Sequence, residues 1–308
     1  MTTALITHAD CLNHKNPQGH PEQVARLEFI LTTLNGKNLT RVDAPLATDE
    51  DLMRAHPRAY IDAIRAAAPE SKTVALDGDT FMSPGTLSAA LRAAGGAVRA
   101  VDMVLAGEAR NAFVACRPPG HHAETQTPMG FCLFGTVAIA AKHALDHHGL
   151  SRVAIVDFDV HHGNGTQDLL QNDARVLFCS THQMPLFPGT GYAQETGTDN
   201  NVINVPMHDG AGSTDFRQAM TNIILPAVDQ FAPQLILISA GFDAHKADPL
   251  AGIMLETQDF SWITEKLCDL ADTHCDGHIV ASLEGGYDLN ALAASVAAHV
   301  DVLIARGG

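Results

Sequence analysis

Residues 153–166, V-A-I-V-D-F-D-V-H-H-G-N-G-T, constrain the fold more than any other part of the chain. Val153, Ile155 and Val156 form an apolar, β-branched run, as a strand buried on both faces of a parallel sheet requires. The run ends in Asp157, Asp159, His161 and His162, and Gly163, Asn164 and Gly165 then supply turn residues. Alternation along an extended strand would turn Asp157, Asp159 and His161 to one side. Two carboxylates and an imidazole converging at the end of a buried strand cost free energy unless their charge is neutralised. A divalent cation is the simplest neutraliser, and open α/β sheets hold ligands at the C-terminal ends of their strands. The plainer alternative is a helix-capping aspartate beside salt-bridged core residues.

The same pattern recurs along the chain. Short apolar runs predict strands at residues 3–6, 112–116, 153–158, 176–180, 202–205, 235–240 and 278–283. Helical spacing predicts helices from Pro21, at 49–54 and 57–68, from near Pro84, and at 136–147, 216–230, 260–274 and 290–306. This alternation argues for a parallel sheet sandwiched by helices. No repeat, low-complexity linker or composition break interrupts the 308 residues, so one domain spanning 1–308 is the economical reading.

Composition narrows the function classes. A hydrophobic share of 46% and a charged share of 18% allow a substantial core. The formal charge of −16 argues against nucleic-acid binding, which needs clustered Lys and Arg. It suits cationic substrates, although solubility is its simplest role. The six cysteines, Cys11, Cys116, Cys132, Cys179, Cys268 and Cys275, include no C-x-x-C pair and fit reduced thiols in a cytoplasmic protein. The N-terminus has no basic segment leading into a long apolar one, so no signal peptide is expected. No run of about 18 apolar residues predicts a membrane span.

Chemistry gathers where the predicted strands end. R-P-P-G-H-H-A (117–123) presents His121 and His122 from a loop stiffened by prolines, with M-G-F-C-L-F (129–134) close behind. S-T-H leads into L-F-P-G-T-G (186–191), which offers Phe187 as an aromatic wall. S-A-G-F-D-A-H-K-A-D-P-L (239–250) carries Asp243 and Asp248, both candidate metal ligands. L-E-G-G-Y-D-L (283–289) uses paired glycines to turn tightly and place Tyr287. Each has a bland explanation, such as Asp248 opening a turn before Pro249 or Tyr287 serving as a hydrogen-bonded core residue. Their recurrence at successive strand ends points to one shared site.

Taken together, these motifs resemble the zinc-dependent histone deacetylase family, which includes bacterial acetylpolyamine amidohydrolases and acetoin-utilisation proteins. The likeness runs from H-P-E (20–22) onward, and Asn164 is similar to the class II and bacterial branch. It implies an arginase-like α/β/α sandwich on a largely parallel eight-stranded sheet. It implies one zinc, replaceable by Fe2+, Co2+ or Mn2+, held by Asp159, His161 and Asp248, with Asp243 and Asp157 not bound to it. His122 would be general base and acid, backed by Asn164, while His121, paired with Asp157, would act electrostatically. Tyr287 would donate to the acetyl carbonyl. Phe131 and Phe187, with Gly130 and Leu255, would line the tunnel for the acylated side chain. Asp157, Asp159, His161, Ser180 and Thr181 would hold a structural potassium ion. Gly135 and Thr136 stand where the family often has two polar residues.

The activity so implied is removal of acetyl groups from acetylated amines by a metal-activated water. The substrate would be acetyl-lysine in proteins and peptides, or acetylpolyamines, and the D-G-D run at 77–79 suits either. Two rivals remain: an arginase-like ureohydrolase with two manganese ions, and a non-catalytic acetyl-group binding protein.

Overall fold

Eight runs hydrogen-bond into one sheet in the computed structural model, which describes residues 2–308. They are β1 (Thr3–Thr7), β2 (Thr40–Asp43), β5 (Asn111–Val114), β6 (Val153–Asp157), β7 (Val176–Gln183), β8 (Val202–Met207), β9 (Leu235–Ala240) and β10 (Ile279–Leu283). β3 (Val74–Ala75) and β4 (Phe81–Met82) form a separate antiparallel ribbon. The sheet order is β2-β1-β5-β10-β9-β6-β7-β8, and every neighbouring pair is parallel. Every residue of β5, β6, β7, β9 and β10 is buried, which is why these strands read as largely apolar runs, apart from the polar S-T-H-Q end of β7. β2 is the exception. Its sequence T-R-V-D lies at the sheet edge and is largely exposed, so it carries no apolar signal to betray it.

Helices cover both faces. On one, Thr86–Leu105 and Thr136–Asp146 pack side by side against β1, β5, β10, β6 and β9. Small residues allow close approach there: a Cβ on Gly96 would stand 3.3 Å from Val114 Cγ1 and 3.4 Å from Ile6 Cγ2 of the sheet. On the other, Val24–Thr33, Thr257–His274 and Leu289–Gly307 pack together. The 19-residue Leu289–Gly307 helix is long and apolar enough to cross a membrane by length and composition, which the apolar-run reading missed. Here Leu292, Val296, Val300 and Leu303 are buried in the sandwich.

The structure departs from the expected elements in other places too. The first long helix starts at Val24, not at Pro21, because His20 and Glu22 are held in the preceding bend, the Glu22 N–H donating to His20 Nδ1 at 3.1 Å. β6 stops at Asp157 and β7 runs on to Gln183. A helix not anticipated, Asn164–Leu170, begins directly after the His161–His162 pair. The helix expected at 216–230 contains a wide π turn, Met220–Ile224, ahead of Pro226. Proline has no N–H to offer the preceding turn and its ring crowds the carbonyl four residues back, and the wider turn relieves both.

One core group makes stability depend on pH. His299 is fully buried beside Phe113, Phe158 and Phe242, with Nδ1 2.7 Å from Thr264 Oγ1 and no partner for Nε2. Burial pushes its pKa down to about 3. The unfolded chain therefore binds this proton below about pH 6.5 while the folded chain does not. Stability attributable to His299 is full above that pH and falls by about 1.4 kcal/mol per unit down to about pH 3. His299→Phe is expected to flatten the pH dependence of the unfolding free energy between pH 6 and about 4 by that slope. An unchanged slope in urea titrations at several pH values would refute the assignment.

Candidate active site

The loop after β6 creates the site through hydrogen bonds, not strand alternation. Asp157 Oδ1 accepts the Asp159 N–H at 3.0 Å, and Asp159 Oδ1 accepts the His161 N–H at 2.9 Å, two consecutive Asx-type turns. The other Asp159 oxygen accepts the Gly285 N–H at 2.8 Å, tying this loop to the one after β10. From the loop after β9, Asp243 Oδ1 accepts the Val160 N–H at 2.8 Å. His161 Nδ1 then lies 3.2 Å from both Asp159 Oδ1 and Asp243 Oδ2. Asp159, His161 and Asp243 thus offer three donor atoms within 4.8 Å of one another, all on buried residues.

The surroundings fit a divalent cation. Asp157, Asp159, Asp243, Asp248 and Glu284 are all buried here, with no Lys or Arg side chain bonded to them among the described residues. Burial raises the carboxyls of Asp157 to about 6, and of Asp248 and Glu284 to about 7. Gly285 keeps the donors close, since a Cβ there would stand 2.0 Å from Asp243 Oδ2 and 2.6 Å from Asp159 Oδ2.

Asp248, the expected third ligand, lies outside this group. Its Oδ1 accepts the Leu250 N–H at 3.0 Å and its Oδ2 accepts the Tyr287 N–H at 2.7 Å. Asp243 comes three residues after the end of β9 and therefore sits beside the β6 loop, whereas Asp248 is carried away to brace the tyrosine loop.

The histidine pair splits into two electrostatic states. His121 Nδ1 lies 3.0 Å from Asp157 Oδ2, and its Nε2 lies 3.8 Å from Asp159 Oδ1. Burial opposes its charge, but the Asp159 and Asp157 carboxylates outweigh burial and hold its pKa well above the usual value. His122 goes the other way, its pKa pushed well down by burial and by the neighbouring His121 and His161. Asn164 Nδ2 donates to Glu124 Oε1 at 2.8 Å, so its amide oxygen faces His122 Nδ1 at 2.8 Å. His122 Nδ1 therefore carries the proton, and Nε2 keeps a free lone pair.

Tyr287 is buried at one side of a cavity of about 230 Å3, which is lined by Asp79, His122, Gly130, Phe131, His161, Leu186, Phe187, Leu250 and Tyr287. Gly130 has φ +54°, and a Cβ there would come within 2.4 Å of His122 Cδ2, displacing the imidazole. Leu255, expected in this wall, is instead fully buried in the core with its N–H donated to the Ala244 carbonyl. Leu250, two residues past Asp248, takes the place in the wall. Ser180 stands opposite Asp157 in the β6–β7 register, and its Oγ lies 2.9 Å from His182 Nδ1; Thr181 follows, also buried.

Several supports had only faint sequence signals. Arg26, four residues after Glu22, donates to the carbonyls of Gly286 at 2.6 Å and Glu284 at 2.5 Å, and its guanidinium lies 5.0 Å from the centre of the Tyr287 ring. Glu22 also accepts from buried Arg117 Nε at 2.5 Å and Nη2 at 2.6 Å, a bidentate pair fixing the loop before His121. Glu284 Oε2 accepts the N–H groups of Gly120 and His121 at 2.7 and 3.2 Å. The i, i+4 spacing of Glu22 and Arg26 was the one readable hint.

An eight-stranded α/β/α sandwich with this centre at its strand ends has the arginase and deacetylase fold. The sequence pattern of the histone deacetylase domain matches residues 20–303, and the chain belongs to the histone deacetylase family. It is 40% identical over 299 residues to a probable deacetylase of Archaeoglobus fulgidus, covering 94% of this chain and 82% of that one. It is 42% identical over 272 residues to a histone deacetylase-like amidohydrolase of Pseudomonas aeruginosa, covering 87% and 71%. The crystal structure of the HDA15 HD domain superposes with a TM-score of 0.94 at 34% identity, covering 99% of this chain and 89% of that one.

Proposed function

We propose that the chain is a zinc-dependent deacetylase that hydrolyses acetylated amines, with Asp159, His161 and Asp243 as the protein ligands of the metal. The observation that carries this reading is geometric: Asp159, His161 and Asp243 offer three donor atoms within 4.8 Å of one another, and the narrow cavity lined by His161 also receives His122 and Tyr287. Asp159, His161 and Asp243 would hold the ion, which would supply Lewis-acid polarisation of the amide carbonyl and acidify a water. His122 takes a proton at Nε2 and later delivers it to the leaving nitrogen. His121, paired with Asp157, keeps positive charge beside the reacting centre, and Tyr287 donates its hydroxyl to the developing oxyanion. Phe131, Phe187, Leu186 and Leu250 exclude water along the stem of the acylated chain, and Asp79 offers an acceptor in the same cavity. Fe2+, Co2+ or Mn2+ suit the same oxygen and nitrogen donors. Asp157, Asp159, His161, Ser180 and Thr181 are the proposed holders of a structural potassium ion.

The substrates proposed are acetyl-lysine peptides and acetylpolyamines. The test is acetate release from both classes, with arginine as a control for ureohydrolase activity. Chelation is expected to abolish turnover and added Zn2+ to restore it. Absence of acetate release from every acetamide by metal-loaded protein would overturn the reading, as would urea formation from arginine.

A further inference from the structure

The helices Thr86–Leu105 and Thr136–Asp146 pack side by side, and the active-site loop meets the start of the second, where Thr136 touches Gly120. At the far end of that helix, about 16 Å along its axis at 1.5 Å per residue, lies a cluster that the proposed hydrolysis does not use. Asp102 comes from the first helix, His143 from the last turns of the second, and His147 and His148 from the chain that leaves it. One donor atom from each of the four lies within 4.8 Å of the other three.

Asp102 Oδ1 lies 2.7 Å from His143 Nε2 and 2.8 Å from His148 Nε2. His147, at i+4 from His143, stacks its ring on that of His143 at 4.7 Å. Among the described residues, no Lys or Arg pairs with Asp102, and the His147 ring has no hydrogen-bond partner. His143 is almost fully buried, yet its Nδ1 is unpartnered, so Asp102 alone fixes the ring by hydrogen bonding.

Three imidazoles and one carboxylate are a donor set suited to a tetrahedral ion of the zinc type. Bonds of about 2.1 Å would place neighbouring donors about 3.4 Å apart, so the two contacts to Asp102 need to open by about 0.7 Å. His147 and His148 are exposed and have room to make that adjustment. We propose that Asp102, His143, His147 and His148 form a second metal site, separate from the active site, that takes a zinc-class divalent cation and ties the two helices together.

The test is metal content. Metal-stripped native chain is saturated with Zn2+, freed of excess by gel filtration and assayed for zinc per chain, beside H147A/H148A. The double variant is expected to carry one equivalent fewer than the native chain, whatever the active site holds. Asp102→Asn keeps the side-chain shape and is expected to show the same loss, so the result does not depend on folding of the double variant. Equal zinc content in the native chain and in Asp102→Asn would overturn the proposal and leave Asp102 as a hydrogen-bond acceptor only.

Discussion

Asp243→Ala is expected to lose the active-site metal and at least about three orders of magnitude in kcat, since Lewis-acid assistance of several kcal/mol disappears with it. Asp248→Asn is expected to keep that metal. Its carboxylate accepts two backbone N–H groups, from Leu250 and Tyr287, and an amide can serve only one of them. One lost hydrogen bond of about 1 kcal/mol translates into a kcat loss of about tenfold or less, through a displaced Tyr287. The two variants separate the structural reading from the sequence expectation. Metal analysis finding Asp248→Asn empty and Asp243→Ala loaded would reverse the assignment. Circular dichroism is the control, because Asp243→Ala also leaves the Val160 N–H without its acceptor.

Tyr287→Phe is expected to lower kcat by about two to three orders of magnitude while KM and metal content change little. The reason is geometric. Among the described residues the Tyr287 hydroxyl has no hydrogen-bond partner, and the ring borders the cavity with Phe131 6.0 Å away and Arg26 over its face. Removing the oxygen leaves no buried group unsatisfied, so thermal stability should hold. A donor that acts on charge formed only during reaction strengthens in the transition state, which places the loss in kcat. A Tyr287→Phe protein with full metal and near-native kcat on every acetamide would remove the hydroxyl from the mechanism.

The reach of the sequence differed from element to element, and the reasons are physical. β5, β6, β9, β10 and the first part of β7 were legible because strands buried on both faces are largely apolar, whereas the buried S-T-H-Q end of β7 is polar and was only partly read. β2 was not, because an edge strand with exposed side chains is recruited by the backbone of β1 and needs no particular residues. His121, His122 and Tyr287 stood out because glycines and prolines beside polar residues at strand ends signal loops built for a purpose, whereas their roles and that of Asn164 came from the resemblance to the family.

The sequence by itself determined that this chain folds as a parallel α/β sandwich, and it selected the loops that carry chemistry, because burial and backbone turning are written locally. Only the tertiary structure decided which side chains meet. Asp243 and Asp248 are equivalent on the page, five residues apart in one loop, and the packing of β9 beside β6 puts one in the centre and the other under Tyr287. Leu250 lines the cavity where Leu255 was expected, and Asp102 meets His143 across two helices. Side-chain convergence depends on the relative placement of elements distant in sequence, and strand order and helix packing set that placement.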